Sequence, residues 1–463
     1  MADRDLVVIG AGAAGLSVAN VAARLGLRVT LIERGTMGGE CLNTGCVPSK
    51  ALLAAAHAAM SARDAARYGI RLPPPEIDWP AVLAHVQNAI ATIAPTDSAA
   101  RYESLGAEIL HAEARLTAPG TIAVAGREIT ARRIVLALGS RPAIPDIPGL
   151  STLPYLTNET LFTLPERPGH LLILGAGPMG VEMAQAFAEL GAPVTLVARG
   201  RILPTEDAEL AAFLADTLRA AGVTIHEHLD VTAAEPGPTL LTSTGGRLAG
   251  THLLLATGRR PTLDGLDAAR IATTPRGIAT DRSLRSPTNR RVWAIGDCAD
   301  PQGLGPRRLT HVATQHAAIV IRNALFHLPA RLDYTTLPRV IYTDPELAQI
   351  GATAVPGGQT LRWSLAENDR AIAEGRPVGL VKLHLDHAGR LRGASILAPD
   401  AGEMAPMIAL LIGRRHGLRA LADLVVPYPT RAEALKRAAG TFYAPKLFAA
   451  GPRRLARLLA RLT

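Results

Sequence analysis

Two glycine turns of the form Gly-x-Gly-x-x-Gly constrain this chain most, because each sits between a short apolar strand and a helix. In the first, Leu6-Val7-Val8-Ile9 leads into Gly10-Ala11-Gly12-Ala13-Ala14-Gly15, and a helix from Leu16 to Leu25 is ended by Gly26. In the second, Leu171 to Leu174 leads into Gly175-Ala176-Gly177-Pro178-Met179-Gly180, a helix to Leu190, Gly191, and the strand Val194 to Val197. Glycines in this pattern let backbone approach a pyrophosphate at a helix N-terminus, so two turns predict two α/β dinucleotide units with parallel sheets.

The residues after each unit's second strand differ. Arg28 to Ile32 stops at Glu33, a carboxylate able to accept hydrogen bonds from ribose hydroxyls. The corresponding strand in the second unit ends in Ala198-Arg199-Gly200-Arg201, with no carboxylate and two guanidinium groups suited to a 2'-phosphate. That favours NADPH over NADH, with NAD as the alternative if Arg199 and Arg201 are solvated loop charges.

Between the two turns lies Gly38-Gly39-Glu40-Cys41-Leu42-Asn43-Thr44-Gly45-Cys46-Val47-Pro48-Ser49-Lys50, which holds two of the three cysteines. The spacing from Cys41 to Cys46 allows a disulfide if the turn folds back, and Gly45 is expected to supply a permissive backbone angle. Cys46 opens a helix, where the dipole and free N–H groups stabilise a thiolate, so it should be the more acidic thiol. Lys50 falls one turn on, on the same face. A zinc site would need two more ligands, and neither a second cysteine pair nor a clustered histidine pair is present, so no metal site is expected.

Three cysteines cannot staple a chain of 463 residues, which points to redox work in a reducing, cytoplasmic compartment. The first strand starting near residue 5 leaves no room for a leader, and no apolar run is long enough to span a bilayer. The net charge of +9 comes from scattered arginines, and aromatic content of 3% offers little for stacking bases, so no nucleic-acid partner is expected. Near the C-terminus, Leu455, Leu458, Leu459 and Leu462 recur at helical spacing with Arg454, Arg457 and Arg461 on other faces. This tail could lie on an anionic membrane or pack on a partner subunit, and the second reading is favoured for so short a segment.

Apolar strands at Arg133 to Leu138 and Leu253 to Ala256 run into matched turns containing Gly139 and Gly258. Val292 to Ile295 presents Gly296-Asp297, a carboxylate placed for a sugar-like hydroxyl chain or for helix capping. From about Thr335 the texture changes to longer helices and alternating strands without a phosphate loop. The domains expected are therefore 1–150, 151–275, 276–334 rejoining the first, and 335–463.

Gly-Gly-x-Cys-Leu-Asn-x-Gly-Cys-Val-Pro-Ser-Lys, the two nucleotide units, Ala294-Ile295-Gly296-Asp297 and Thr343-Asp344-Pro345-Glu346 together resemble the pyridine nucleotide-disulfide oxidoreductases. That family includes dihydrolipoyl dehydrogenase, glutathione reductase and mercuric reductase. The resemblance implies an α/β fold with an FAD domain, an NAD(P) domain and a C-terminal α+β domain that forms a homodimer. It implies FAD contacts from Gly10, Gly12, Gly15, Glu33, Arg34, Gly39, Lys50, Gly139, Asp297, Thr310 and His311. The nicotinamide nucleotide would meet Gly175, Gly177, Gly180, Glu182, Arg199, Arg201 and Gly258. Cys46 would face the flavin, Cys41 would meet the acceptor, and Lys50 would pair with Glu182, whose alternative is an exposed helix carboxylate.

Disulfide-reducing members carry His-Pro-Thr-x-x-Glu near the C-terminus, reaching across the dimer to shuttle a proton. Here the segment reads Tyr428-Pro429-Thr430-Arg431-Ala432-Glu433. A phenol of pKa about 10 is a poor shuttle at neutral pH compared with imidazole. Mercuric reductase also has tyrosine there, but its C-terminal cysteine pair is absent from this chain. The reading is an NADPH reductase passing electrons through FAD and Cys41/Cys46 to a soft metal ion such as Hg(II) or a small disulfide. Its alternatives are a dihydrolipoyl dehydrogenase-like enzyme using NAD and a non-catalytic redox-sensing flavoprotein.

Overall fold

The computed structural model describes residues 2–266 and 269–461. Leu6–Ile9 is buried on both faces, as a central strand of a parallel sheet must be. Its sheet runs in the order Val292–Ala294, Ile134–Leu136, Leu6–Ile9, Val29–Glu33, Glu108–His111, all parallel. The strand Val292–Ala294 thus returns to this sheet after the chain has built a second one. That second parallel sheet runs Val223–His226, Val194–Val197, Leu171–Leu174, His252–Leu255.

The chain leaves the first unit at Ser140–Pro142 and comes back at Arg259–Pro261. These two strands pair antiparallel, Arg259 opposite Pro142 and Pro261 opposite Ser140, which makes the joint between the units. The C-terminal part is a five-stranded antiparallel sheet, Pro338–Ile341 to Gln359–Ser364 at its edges, with the helices Ala401–Gly413 and Glu433–Leu447 against it.

One core ties the three parts together. The thiol helix Cys46–Asp64 buries Leu52, Leu53 and Ala56 against Val181, Ala184 and Phe187 of the helix Pro178–Glu189, and Ile341, Leu347 and Leu397 close the cluster from the C-terminal sheet. Phe187 is fully buried and its ring lies 5.6 Å from that of Trp79; burying such a side chain stabilises the fold by about 1.5–3 kcal/mol. Packing of this kind fixes the thiol helix against the second unit, and with it the placement of Lys50.

The tail forms the helix Ala450–Leu459, with Leu455, Leu458 and Leu459 exposed. Leu462 lies outside the described residues. Among the described residues no helix is long and apolar enough to cross a membrane.

Candidate active site

The carboxyl ends of both parallel sheets open into one cavity of about 1920 Å³. Single-ligand pockets are typically about 300–1,000 Å³, so the space suits two large cofactors meeting end to end. Gly10 and Gly175 take φ of +104° and +109°, and a Cβ on either would overlap a facing carbonyl, that of Ala137 or Ala256. Gly12 and Gly177 instead line the cavity with an open side. Each is the N-cap of a helix, Ala13–Arg24 or Pro178–Glu189, with no side-chain cap, so amide N–H groups at both helix starts remain available to an anion. Gly15 and Gly180 lie behind, close against the carbonyls of Gly10 and Gly175.

This duplicated cradle fits two pyrophosphates. On the first unit's side, Glu33 reaches the cavity and accepts from the amides of Ala11 and Gly35, both at 2.7 Å. Arg34 pairs with Asp264 at 3.5 Å. Asp297 accepts from the Ser140 hydroxyl at 2.6 Å and caps no helix. Gly39, Gly139, Gly258, Thr310 and His311 also line the cavity, and His311 Nε2 lies 2.9 Å from the carbonyl of Pro338.

On the second unit's side, Arg199 is exposed to the cavity and makes no side-chain hydrogen bond or ion pair among the described residues. Arg201 is committed elsewhere: its guanidinium donates to the carbonyls of Leu203, Pro204 and Glu206 at 3.1, 2.8 and 2.8 Å. The pair of strand-end arginines therefore presents one free cation, since the loop after Arg201 turns its carbonyls inward onto that side chain.

Cys41 and Cys46 stand as a dithiol lining the cavity. The Thr310 hydroxyl lies 3.2 Å from the sulfur of Cys41 and 3.3 Å from that of Cys46. Cys46 begins its helix, as the sequence suggests. Hydrogen bonding from the Cys41 thiol, then from Thr310, with the charge of Lys50, lowers its pKa to about 6 against the opposing effect of burial. The same shared proton, together with burial, pushes Cys41 well above the ordinary thiol range. The turn thus holds one proton on Cys41 and a thiolate on Cys46. Gly45 takes φ −127° and ψ −112°, outside the ordinary helical and extended regions, and a Cβ there would also sit 2.9 Å from the Glu40 carbonyl oxygen. The positive φ values of the turn belong to Gly38 and Gly39.

In the reduced protein, alkylation of Cys46 by iodoacetamide is expected to follow a titration with midpoint near pH 6, thiolate above and thiol below. Peptide mapping across pH 4–10 measures it, and a midpoint near the ordinary thiol value of about 8.5 would contradict the shared-proton arrangement.

Lys50 donates to Glu182 at 2.8 Å and lies over the Tyr342 ring at 4.4 Å. Glu182 is a buried carboxylate, not an exposed one; its second oxygen accepts from the Tyr342 amide at 3.0 Å. The remaining two sequence-derived residues lie apart from the cavity within one chain. Tyr428 is 70% exposed and donates to Asp369 at 2.8 Å, and Glu433 pairs with Arg437 at 2.7 Å instead of with Tyr428.

Two groups at the site carry no motif signal. His316 is fully buried, accepts from the Gly296 amide at 3.1 Å and faces the Tyr334 hydroxyl at 2.8 Å. Burial lowers its pKa to about 4, so it is neutral and holds the Asp297 loop as an acceptor. The other is Glu40, which lines the cavity beside Cys41 and is paired with Arg259.

A dithiol turn set between two dinucleotide cradles, with a half-buried lysine paired to a buried glutamate at their meeting point, defines a two-cofactor dithiol oxidoreductase. Residues 4–317 match the family model described as pyridine nucleotide-disulphide oxidoreductase, and residues 337–439 match its dimerisation domain. The chain is 37% identical to mercuric reductase of Streptomyces lividans, over 95% of this chain and 96% of that one. It is 35% identical to mercuric reductase of Shigella flexneri, over 94% and 80% respectively. Among solved structures, the HOCl-induced flavoprotein disulfide reductase RclA from Escherichia coli superposes with a TM-score of 0.83 at 26% identity, covering 94% of this chain and 99% of that one. LpdA from Mycobacterium tuberculosis gives 0.84 at 27% identity, with coverage of 94% and 99%. The chain belongs to the pyridine nucleotide-disulphide oxidoreductase family, and it is an FAD-dependent enzyme that uses a pyridine nucleotide.

Proposed function

We propose that this enzyme takes a hydride from NADPH and delivers the electron pair, through Cys46 and Cys41, to a small acceptor, with Hg(II) as the first candidate. FAD, when bound, supplies the step between nicotinamide and disulfide. The observation that carries the reading is the dithiol's placement: Cys41 and Cys46 line the cavity with the Thr310 hydroxyl 3.2 and 3.3 Å from their sulfurs and Cys46 at a helix start one turn from Lys50, which favours a proton on Cys41 and a thiolate on Cys46. NADPH and the oxidised disulfide together give NADP⁺, one thiolate and one thiol, which is the protonation state that this turn favours.

The acceptor follows from what happens to that proton. Reducing Hg(II) to Hg(0) re-forms the disulfide and releases one proton to solvent. Reducing an external disulfide instead requires a proton delivered to the departing thiolate, and Tyr428 is poorly suited to that role. Thiolates also suit a soft cation, and mercuric reductases are among the relatives at 35–37% identity. The enzyme is read as a cytoplasmic homodimer joined through residues 337–439, with the tail helix packed on the partner subunit.

Anaerobic reduction with NADPH followed by a screen of Hg(II), glutathione disulfide and lipoamide tests the acceptor. Fast reoxidation by Hg(II) and slow reoxidation by both disulfides is expected, and the reverse order would refute the assignment.

NADPH preference rests on Arg199 alone. Replacing it with alanine removes one charge-assisted contact to the 2'-phosphate, so the KM for NADPH should rise about tenfold while that for NADH stays nearly constant. Equal changes for both nucleotides would mean that Arg199 does not read the phosphate.

A further inference from the structure

Glu40 is held by both passages of the chain between the nucleotide units. Its Oε1 accepts from the Asn158 amide at 3.0 Å, and Asn158 lies on the outgoing passage. Its Oε2 pairs with Arg259 on the returning strand. The same Asn158 nitrogen donates to the carbonyl of Thr44 at 3.2 Å, within the thiol turn, and its oxygen faces Arg259 Nη1 at 3.5 Å. Arg259 goes on to the Ser140 hydroxyl at 2.7 Å and carbonyl at 2.9 Å, and Ser140 reaches Asp297. A closed ring of three side chains therefore fastens the residue before Cys41 to both sides of the domain joint. Asn158 is almost fully buried. Burial raises the Glu40 pKa to about 7, with Arg259 opposing the shift, so the carboxylate depends on this pairing.

We infer that Glu40 is a positioning residue that locks the second nucleotide unit onto the thiol turn, so that hydride delivery depends on it while thiol chemistry does not. Cys41 and Cys46 take their protonation chiefly from each other and from Thr310, with Lys50 favouring and Glu182 opposing the Cys46 thiolate; Glu40 touches neither sulfur and adds only a charge repulsion with Cys46. The nicotinamide, by contrast, is carried by the second unit, which meets the first through the Ser140–Pro142 and Arg259–Pro261 joint and its packing on the thiol helix, and is braced from the other side by the C-terminal sheet, for example by Lys382 on Asp207 and Arg339 on Glu206. A displacement of about 1 Å in a reacting pair can cost on the order of a hundredfold in rate.

The inference rests on the proposed NADPH reduction, and the parent enzyme tests that first: if NADPH does not bleach its flavin, the functional reading fails before this one is reached. Full-length, FAD-loaded Glu40→Gln, Glu40→Asp and Asn158→Ala are compared with it by anaerobic stopped flow. In Glu40→Gln and Asn158→Ala the limiting rate of flavin bleaching by NADPH should fall about ten- to hundredfold, with a smaller change in half-saturating NADPH. Glu40→Asp should recover part of the loss. Bleaching by dithionite should stay at the parental rate in every variant, and the pH midpoint of Cys46 alkylation should stay at the parental value in Glu40→Asp and Asn158→Ala, which keep the carboxylate charge that Cys46 feels. Unchanged bleaching by NADPH in all the variants overturns the inference. So does a loss in Asn158→Ala matched by a shifted Cys46 titration, which would place the effect of the clamp on the thiols. Should Glu40→Gln fail to accumulate as folded protein, Asn158→Ala carries the same comparison.

Discussion

Replacing Cys41 with alanine is expected to cut acceptor reduction by about a thousandfold or more, the scale of loss when a covalent participant is removed, while flavin reduction by NADPH proceeds at close to the parental rate. The asymmetry follows from the two thiols' surroundings. Cys46 is the residue with Lys50 one helical turn away and with the depressed pKa, and the largest single cause of that depression is the hydrogen bond from Cys41. Without Cys41 no disulfide can form, so electrons have no exit. The remaining thiolate also loses its main donor and keeps only Thr310 and the field of Lys50. Cys46 alkylation in this variant should therefore shift upward from pH 6 toward the ordinary thiol range. Stopped-flow absorbance separates the half-reactions, and iodoacetamide mapping reads the titration. Parental turnover with Hg(II) would show that Cys41 does not carry electrons to the acceptor. An unmoved Cys46 midpoint would instead assign the acidity to Lys50 and the helix start.

Which parts of this site can be read from sequence depends on how local their causes are. The two glycine turns are legible because the constraint is steric and lies within a few residues of each turn: Gly10 and Gly175 need a positive φ and cannot carry a Cβ. Cys46 at a helix start is likewise a local fact. Glu40 is different. Its partners Asn158 and Arg259 are 118 and 219 residues away, and nothing in Gly-Gly-Glu-Cys distinguishes a clamped carboxylate from a solvated one. His316 sits beyond the end of any motif, and only the sheet order, which returns Val292–Ala294 beside Ile134–Leu136, brings its ring under the Asp297 loop. Arg201 shows the converse case. The sequence places it beside Arg199, but the backbone of 202–206 provides carbonyls that a phosphate ligand would have to replace. Charge at a strand end is visible in sequence; the acceptors that already occupy that charge are not.

Replacing Tyr428 with histidine should raise turnover with glutathione disulfide or lipoamide by about 10²- to 10⁴-fold, the usual contribution of a well-matched acid–base group, and leave Hg(II) reduction nearly unchanged. Tyr428 is largely exposed, and its donation to Asp369 raises its pKa further above the phenol value, which makes it a weaker shuttle still. An imidazole there would titrate near neutrality and could accept the proton from Cys41 across the proposed dimer before passing it to the departing thiolate. The orienting partner would also differ from the family pattern. Glu433 is engaged by Arg437, whereas Asp369 already reaches the side chain at position 428. Asp369→Asn in the Tyr428→His background should therefore lose most of the gain, and Glu433→Gln should lose little. Steady-state rates with both acceptor classes, measured for the single and double variants, test the whole chain of argument. Equal gains with Hg(II) and with disulfides would mean that the substitution acts through something other than proton delivery to a leaving thiolate. If Tyr428→His accelerates neither, the segment does not reach the partner's thiols, and the slow step with disulfides lies elsewhere in the cavity.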